Sequence, residues 1–383
     1  MATAFRLDAL PHPLAGKKVS LILHKFDRGG SPRVAAYLAR GFADLGIDVE
    51  LVVFTSRGDV EGIIVKLMGS DITVRYLGDW NGPRPLDLLR GLPRLVRHLR
   101  ERSPDIVIAA ANNVALVTAE ARSRAGLDDS RMFLKTTNPV ASSRHGGLIK
   151  RIRRWSYRRA FRAATAVWTL SSPESAEMRA AFPEFAGLFH DVANPYVTPS
   201  MLAVPKAGPD APRFILGIGR LTAQKRFERL IEAFALVRDK NVHLKILGEG
   251  KDRAALTALV ERLGLGDRVS LPGHVTDVAE AFHAAEMMVL PSDYEGLPAV
   301  VLEAMAANCP VVCTDCFPAA RAIVDGAQGC AIIEATDPAT IAGMIDARLG
   351  ARRPTGLRAV AERYSIPSGV ASHVAAMVAG MPD

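Results

Sequence analysis

Apolar and polar positions alternate along the chain between two patterns. Short runs at 19–23, 48–54, 72–77 and 105–109 carry the Val, Ile and Leu of buried strands. Between them, apolar residues recur at helical spacing, as with Val34, Leu38 and Phe42 after the turn-rich stretch 27–32. A basic helix over 92–102 precedes the fourth strand. The alternation restarts after Pro199, Pro205, Pro209 and Pro212, whose spacing reads as a linker. Strands are then expected at 214–218, 243–247, 269–271, 287–290 and 309–313, with helices over 227–237 and 251–263. Strands alternating with helices mean βαβ units and a mostly parallel sheet. The pattern predicts two doubly wound α/β domains, 1–198 and 199–365, with a tail helix over 366–383 packing back on the first. A ligand then belongs at the carboxyl ends of the strands, in the cleft between the domains.

Composition narrows this picture. A length of 383 residues allows two to three domains at about 150 residues each. Hydrophobic residues at 49% against 23% charged exclude a disordered chain. No run approaches the roughly 18 apolar residues of a membrane span. The first residues, Met1 to Asp8, lack the apolar core of a signal peptide, so a cytoplasmic protein is expected. Four cysteines are too few for a disulfide-stapled secreted domain. The balance of 48 Lys+Arg against 40 Asp+Glu favours an anionic partner: a nucleotide, a lipid headgroup or nucleic acid.

The sharpest chemistry lies in the second half. In the stretch 218–227, Gly219 follows a strand, and Arg220 and Lys225 place two cations beside the amino end of the next helix. That is either a phosphate site or an ordinary βα-loop with solvated charges. In the stretch 292–305, Glu295 sits in a loop, Pro298 suits a first helical turn, and Glu303 lies on the helix. Two carboxylates so placed either bind vicinal hydroxyls of a sugar and a ribose or are a loop Glu and a solvated one. The amides of Leu297, Ala299 and Val300 would face a phosphate.

Gly219-Arg-Leu with Gln224-Lys225, Leu247-Gly-Glu-Gly250, Leu271-Pro-Gly-His274, Glu295-Gly-Leu-Pro298 with Glu303-Ala, and Pro310-Val-Val, taken together and in this order, resemble the family 4 retaining glycosyltransferases. That family has the GT-B architecture of two facing Rossmann-like domains. Gly29-Gly30 with Arg33-Val34 resembles its glycine loop near the donor diphosphate, and Ala193-Asn-Pro195 with Val197 the segment closing the first domain. The resemblance implies that Arg220 and Lys225 bind the diphosphate of a nucleotide-sugar, with Gly219 and Gly248 also among the donor-binding residues. It implies that Glu303 binds the ribose, that Glu295 with Gly296, Leu297 and Pro298 binds the sugar, and that His274 and Val275 hold the base. No Asp-x-Asp metal motif occurs, so no metal or other cofactor is expected. The resemblance further implies retention of anomeric configuration, a UDP-sugar before a GDP-sugar donor, and a lipid-linked saccharide or glycan acceptor.

The sequence departs from that family at several points. Lys225-Arg226 stands where many relatives have Lys-Gly, and Ala322 where they have Glu. Where relatives offer a His near the acceptor, Thr136 and Thr137 precede Asn138, and the nearest His is His145, which leaves Asn138 and His145 as weaker catalytic candidates. Residues 144–162 hold eight Lys and Arg and no acid. On a helical wheel Leu148, Ile149, Ile152 and Trp155 share one arc, Lys150, Arg151, Arg154, Arg158 and Arg162 lie opposite, and Tyr157, Arg159 and Phe161 break the pattern. Either the apolar arc packs on its own domain, or the helix rests on the inner face of the cell membrane through Lys150, Arg151, Arg154, Trp155 and Arg158. Cys309, Cys313, Cys316 and Cys330 read as buried thiols rather than a zinc site. Nucleic acid is not expected as a partner, because no RNA-binding signature is present and aromatics are only 6%. The alternatives are a transferase acting on a soluble acceptor and a catalytically weak nucleotide-sugar-binding module.

Overall fold

The computed structural model describes residues 13–26, 29–57, 68–69, 71–138, 140, 147–203, 213–275 and 277–381. The chain divides into two compact units: Met1–Pro195 with Ile366–Asp383, and Tyr196–Ser365.

In the first unit, β1 (Lys18–Leu23), β2 (Asp48–Val53), β3 (Thr73–Tyr76), β4 (Ile106–Ala109), β5 (Arg131–Lys135), β6 (Ala166–Thr169) and β7 (Phe189–Asp191) form one sheet. Its order is β3-β2-β1-β4-β5-β6-β7, and every pair is parallel, with Leu21 between Leu51 and Ile108. Strands β5 to β7 escape the sequence pattern for a physical reason. β5 carries Arg131 and Lys135 at its ends, and β6 and β7 are only four and three residues long. The helices are α1 (Gly30–Asp44), α2 (Arg84–Arg102), α3 (Ala115–Arg124), α4 (Gly147–Arg162) and α5 (Ser172–Ala181). Helix α2 extends past Pro93 back to Arg84, with a proline in its first turn. The C-terminal helix Ile366–Ala379 lies against α1. There a Cβ on Gly41 would meet the Val370 side chain at 2.4 Å, so only glycine permits this approach.

The second unit repeats the scheme with β8 (Phe214–Ile218), β9 (His243–Leu247), β10 (Val269–Gly273), β11 (Met287–Leu290), β12 (Val311–Thr314) and β13 (Ala331–Ile333). The order is β10-β9-β8-β11-β12-β13, again all parallel. Strands β8, β11 and β12 are buried throughout, which is why they read as continuous apolar runs rather than alternating ones. Helices α6 (Phe227–Leu236), α7 (Arg253–Arg262) and α8 (Ala299–Ala306) cover the sheet. From α6, Phe227, Leu230, Ile231 and Phe234 join Leu244, Ile246 and Val289 in the core. In each sheet the connections reverse direction once, between β1 and β4 and between β8 and β11. That is the switch point where open α/β sheets bind ligands. Among the described residues no helix is long and apolar enough to cross a membrane.

Candidate active site

The carboxyl edge of the second sheet is built from three loops pressed together. Gly219, directly after β8, donates its amide to Leu247 O at 3.0 Å, and Leu221 donates to Glu249 O at 2.9 Å. Gly248 has φ +139°, and a Cβ there would lie 1.9 Å from Gly219 O, so neither the backbone angle nor the space admits another residue. A Cβ on Gly250 would similarly lie 2.1 Å from Leu221 O. The glycines that the sequence singled out thus hold β8 and β9 loops in backbone contact.

Onto this floor the structure brings residues 70 positions apart. Lys225 Nζ donates to Glu295 Oε1 at 2.7 Å, with both side chains largely buried. Gln224 Nε2 donates to Tyr294 O at 2.8 Å, and Asp293 donates its amide to Gln224 O at 2.9 Å. The loop after β8 is therefore stitched to the loop before α8. Arg220 is exposed, as is His274 after β10, and Val275 is half-buried. Glu303 is 1% exposed on α8, behind Glu295 at 8%. Gly296, Leu297 and Pro298 are buried in the same loop, where Leu297 O accepts from the Tyr196 hydroxyl at 3.3 Å.

Two details correct the sequence reading. Pro298 occupies the N-cap of α8 rather than its first turn, and having no amide hydrogen it leaves Gly296 and Leu297 as the residues of 296–298 that can offer a sugar a backbone N–H. Lys225 and Glu295, assigned to different parts of a ligand, hold each other. Each would have to exchange that partner, or share it, when a ligand arrives. Arg226 adopts φ +53° and ψ +40° at the N-cap of α6. Its guanidinium pairs with Asp293 at 3.2 Å and Glu228 at 3.0 Å.

In the first unit, Gly29 is the N-cap of α1 and Gly30 its first residue, and a Cβ on Gly30 would meet nothing within 4 Å. Neither backbone strain nor packing requires that glycine. Asn138 is exposed; its carbonyl accepts from Asn112 Nδ2 at 2.9 Å, and Asn112 Oδ1 accepts from the Thr137 amide at 2.8 Å. His145 lies outside the described residues.

Helix α4 also differs from its sequence reading. Two of the three residues that broke the pattern pack: Phe161 is buried and Tyr157 half-buried, beside buried Ala160, with Phe161 in edge contact with Phe182, Phe185 and Phe189, while Arg159 is exposed. Ile149, Ile152 and Trp155 face solvent, alongside exposed Lys150 and Arg151. Arg154 and Arg158 are half-buried and engaged within the unit instead. Arg154 donates to Ala181 O at 2.7 Å over the Phe182 ring, and Arg158 donates to Glu184 at 2.6 Å. The four cysteines are buried free thiols, and burial pushes Cys309 and Cys316 up to about 12 and Cys313 and Cys330 upward too.

Among the buried polar groupings of the first unit that sequence reasoning missed, two lie at the carboxyl ends of its strands. Lys135, at the carboxyl end of β5, is wholly buried, and burial lowers its amine to about 7. Its nitrogen donates to Asn194 Oδ1 and, at 2.7 Å, to His373 Nε2. His373 Nδ1 donates to Gly369 O at 2.7 Å, which leaves Nε2 as acceptor, and burial holds this imidazole neutral. A neutral amine has two hydrogens for these two acceptors. Nearby Glu174 is raised to about 7 by burial, although Leu170 N and Thr136 donate to it. The signal available was Ser171-x-x-Glu174, a helix-capping pattern: Ser171 Oγ accepts from the Glu174 amide at 3.3 Å. The second grouping is His24, after β1, with Asp87 Oδ2 3.6 Å from its Nε2. Burial lowers the His24 imidazole. No sequence signal links residues so far apart.

Comparison with known proteins agrees with this architecture. The family model for glycosyl transferases group 1 matches residues 204–353, and that for the glycosyl transferase 4-like domain matches residues 29–187. The lipopolysaccharide core biosynthesis glycosyltransferase LpsE of Rhizobium meliloti is 27% identical over 300 residues, 75% of this chain and 76% of LpsE. The alpha-D-kanosaminyltransferase of Streptomyces kanamyceticus is 31% identical over 211 residues, 52% of each chain. An uncharacterized glycosyltransferase of Haemophilus influenzae is 34% identical over 113 residues, 29% of this chain and 32% of that relative. The chain thus spans about a third to a half of the length of these last two relatives. Among solved structures, Anabaena HepE in complex with UDP-glucose aligns with a TM-score of 0.75 at 19% identity, covering 95% of this chain and 100% of HepE. WaaG, a glycosyltransferase involved in lipopolysaccharide biosynthesis, aligns at 0.69 and 21%, covering 91% and 95%. The chain belongs to the group 1 glycosyltransferases, with the two Rossmann-like parallel-sheet domains of the GT-B fold.

Proposed function

We propose that this protein transfers a sugar, with retention and without a metal, from a nucleotide-sugar to a lipid-linked saccharide or glycan at the cytosolic membrane face. The observation that carries the proposal is the Lys225–Glu295 pair, held at 2.7 Å on a floor of glycine loops beside exposed Arg220 and the amino end of α8. When the anomeric bond breaks, the departing nucleoside diphosphate gains charge. Fixed cations and helix-end amides aimed at that charge lower the barrier without needing to reorganise. Arg220 and Lys225 take the role a divalent ion would have, and Ala299 and Val300 present unshared amides. Glu295, released from Lys225, accepts from sugar hydroxyls, and Glu303 from the ribose. Gly29 and Gly30 keep an approach open to the diphosphate. The acceptor attacks from the leaving-group face, and the departing phosphate takes its proton, which accounts for retention.

UDP is the first nucleotide to test and GDP the second; HepE, a structural neighbour, has been solved with UDP-glucose. A lipid-linked acceptor is supported by the exposed Ile149, Ile152 and Trp155 beside Lys150 and Arg151 on α4, which suit an anionic membrane surface. The test is turnover with a panel of UDP- and GDP-sugars in excess EDTA. Transfer or donor hydrolysis that persists in EDTA is expected. Activity lost in EDTA and restored by Mg²⁺ or Mn²⁺ would overturn the metal-independent mechanism. Binding of nucleotide without turnover of any donor would leave a binding module instead.

A further inference from the structure

The strand order of the first unit places three helices in one layer. The connections β3 to β4, β4 to β5 and β5 to β6 all step the same way across the sheet, so right-handed crossovers put α2, α3 and α4 on the same face. Helix α3 touches both of the others. Each runs antiparallel to the strands, so their first turns all lie at the sheet's carboxyl edge.

Exposed large apolar side chains cluster on the two flanking helices. On α4 they are Ile149, Ile152 and Trp155, at 55%, 54% and 58% exposure; on α2 they are Leu86 and Leu89, at 46% and 67%. Among the described residues, the others of this kind are Leu236, Leu263 and Tyr294, scattered singly in the second unit. Helix α2 buries Asp87, Gly91, Leu95 and Leu99. At 100° per residue the opposite side carries Leu86, Leu89, Pro93, Arg97 and Arg100, with Arg90 at its margin, and all six are exposed. Its one acid on that side is Glu101. The outward stripe is therefore apolar in the first turns and basic beyond them, the same mixture that α4 presents.

We infer that α2 is a second membrane-contact element, so that α2 and α4 together form a two-helix surface for an anionic bilayer. The inference rests on the proposed membrane docking of α4. The chemistry selects the partner. Leucine, isoleucine and tryptophan standing among arginines match acyl chains beneath anionic headgroups. A nucleic-acid surface would have no use for the leucines. Two contact lines on either side of α3 would also fix how the carboxyl edge of this unit meets the bilayer, which one helix alone would leave free to roll.

The experiment is co-sedimentation of the full chain with phosphatidylcholine vesicles, with and without phosphatidylglycerol. Three double variants are compared: L86S/L89S and R90Q/R97Q on α2, and I152S/W155S on α4. Each basic residue near an anionic leaflet changes partitioning about fivefold, so R90Q/R97Q should lower anionic-vesicle binding roughly ten- to thirtyfold. L86S/L89S should weaken binding while leaving UDP affinity unchanged, which also reports an intact fold. Loss of binding in the α4 variant alone would overturn the role of α2 and leave that of α4 standing. No loss in any variant, or equal binding to neutral and anionic vesicles, would overturn both. If an RNA oligomer binds wild type and L86S/L89S equally, and R90Q/R97Q is the only α2 variant impaired on vesicles, the stripe is a general polyanion surface and the inference fails.

Discussion

The carboxyl edges of the two sheets are organised by opposite means. In the second unit the edge is made by backbone: β8 and β9 loops touch through Gly219 and Gly248, and the Lys225–Glu295 pair is laid on top. In the first unit the edge is made by buried side chains. Lys135, Glu174, Asn194 and His373 meet there from positions up to 238 residues apart, with two of the four poised near neutrality. A site made of backbone is fixed in shape and insensitive to pH. A site made of buried titratable groups changes its charge and its hydrogen bonds together. The second unit's edge is therefore the rigid one, and the first unit's edge the protonation-sensitive one.

The largest effect should separate two glycines that look alike in sequence. Gly248→Ala forces a Cβ to 1.9 Å from Gly219 O at φ +139°, so a loss of about 2–4 kcal/mol of stability is expected in denaturant melts. Gly30→Ala meets nothing within 4 Å, and helix propensity favours Ala by up to about 1 kcal/mol, so stability should hold or rise slightly. Its effect should appear in calorimetric titration with UDP instead, as weaker binding. Wild-type affinity in Gly30→Ala would remove the α1 loop from the donor site.

Lys225→Ala comes next. A charge-assisted contact contributes about 1.5–3 kcal/mol, so turnover should fall ten- to a hundredfold with the fold intact. Because the partner Glu295 is only 8% exposed, the variant also leaves a carboxylate without its cation. Lys225→Ala/Glu295→Gln should therefore recover stability without recovering turnover. A double variant as active as wild type would mean that the pair is structural and the proposed donor chemistry is wrong.

The protonation contrast is tested by stability against pH. For Glu174, raised to about 7, the folded state holds a proton that the unfolded chain has lost, so stability falls as pH rises from about 4.3 to 7. For Lys135, lowered to about 7, the unfolded chain holds the extra proton, so stability rises from about pH 7 to 10.4. Together they put a stability minimum near neutrality. Glu174→Gln should flatten the acid side and Lys135→Met the alkaline side, read as thermal midpoints across pH. If neither slope changes, the two groups do not titrate as this burial requires.

How much of this was legible follows from the same contrast. The parallel sheets were readable wherever a strand is buried on both faces, as at 214–218 and 287–290, where it writes a continuous apolar run. The second unit's edge was readable because a close backbone approach demands glycine at one place in the chain. Helix α4 was half readable: the wheel found its apolar arc, but an isolated helix carries nothing to say which arc its domain covers, and Tyr157, Ala160 and Phe161 won. The Lys135 cluster was not readable. Its members become partners only when the C-terminal helix docks, and a lysine closing an apolar strand looks in sequence like any solvated strand end.

The smallest effect concerns Arg226, and it isolates what glycine contributes when space is not the issue. Arg226 holds a left-handed backbone at φ +53°, which costs a residue with a Cβ about 1–2 kcal/mol. Glycine would relieve that strain but loses more conformational freedom on folding, by roughly 0.5–1 kcal/mol. It would also forfeit the pairs with Asp293 and Glu228. With the Arg226 side chain 40% exposed, each of these contributes only about 0–1 kcal/mol. The terms nearly cancel, so Arg226→Gly should change stability by less than about 1 kcal/mol, whereas Arg226→Ala keeps the strain, loses the pairs and should be the less stable of the two. Equilibrium denaturation of both variants reads the difference directly. If Arg226→Ala proves as stable as Arg226→Gly, the left-handed turn at the head of α6 carries no strain.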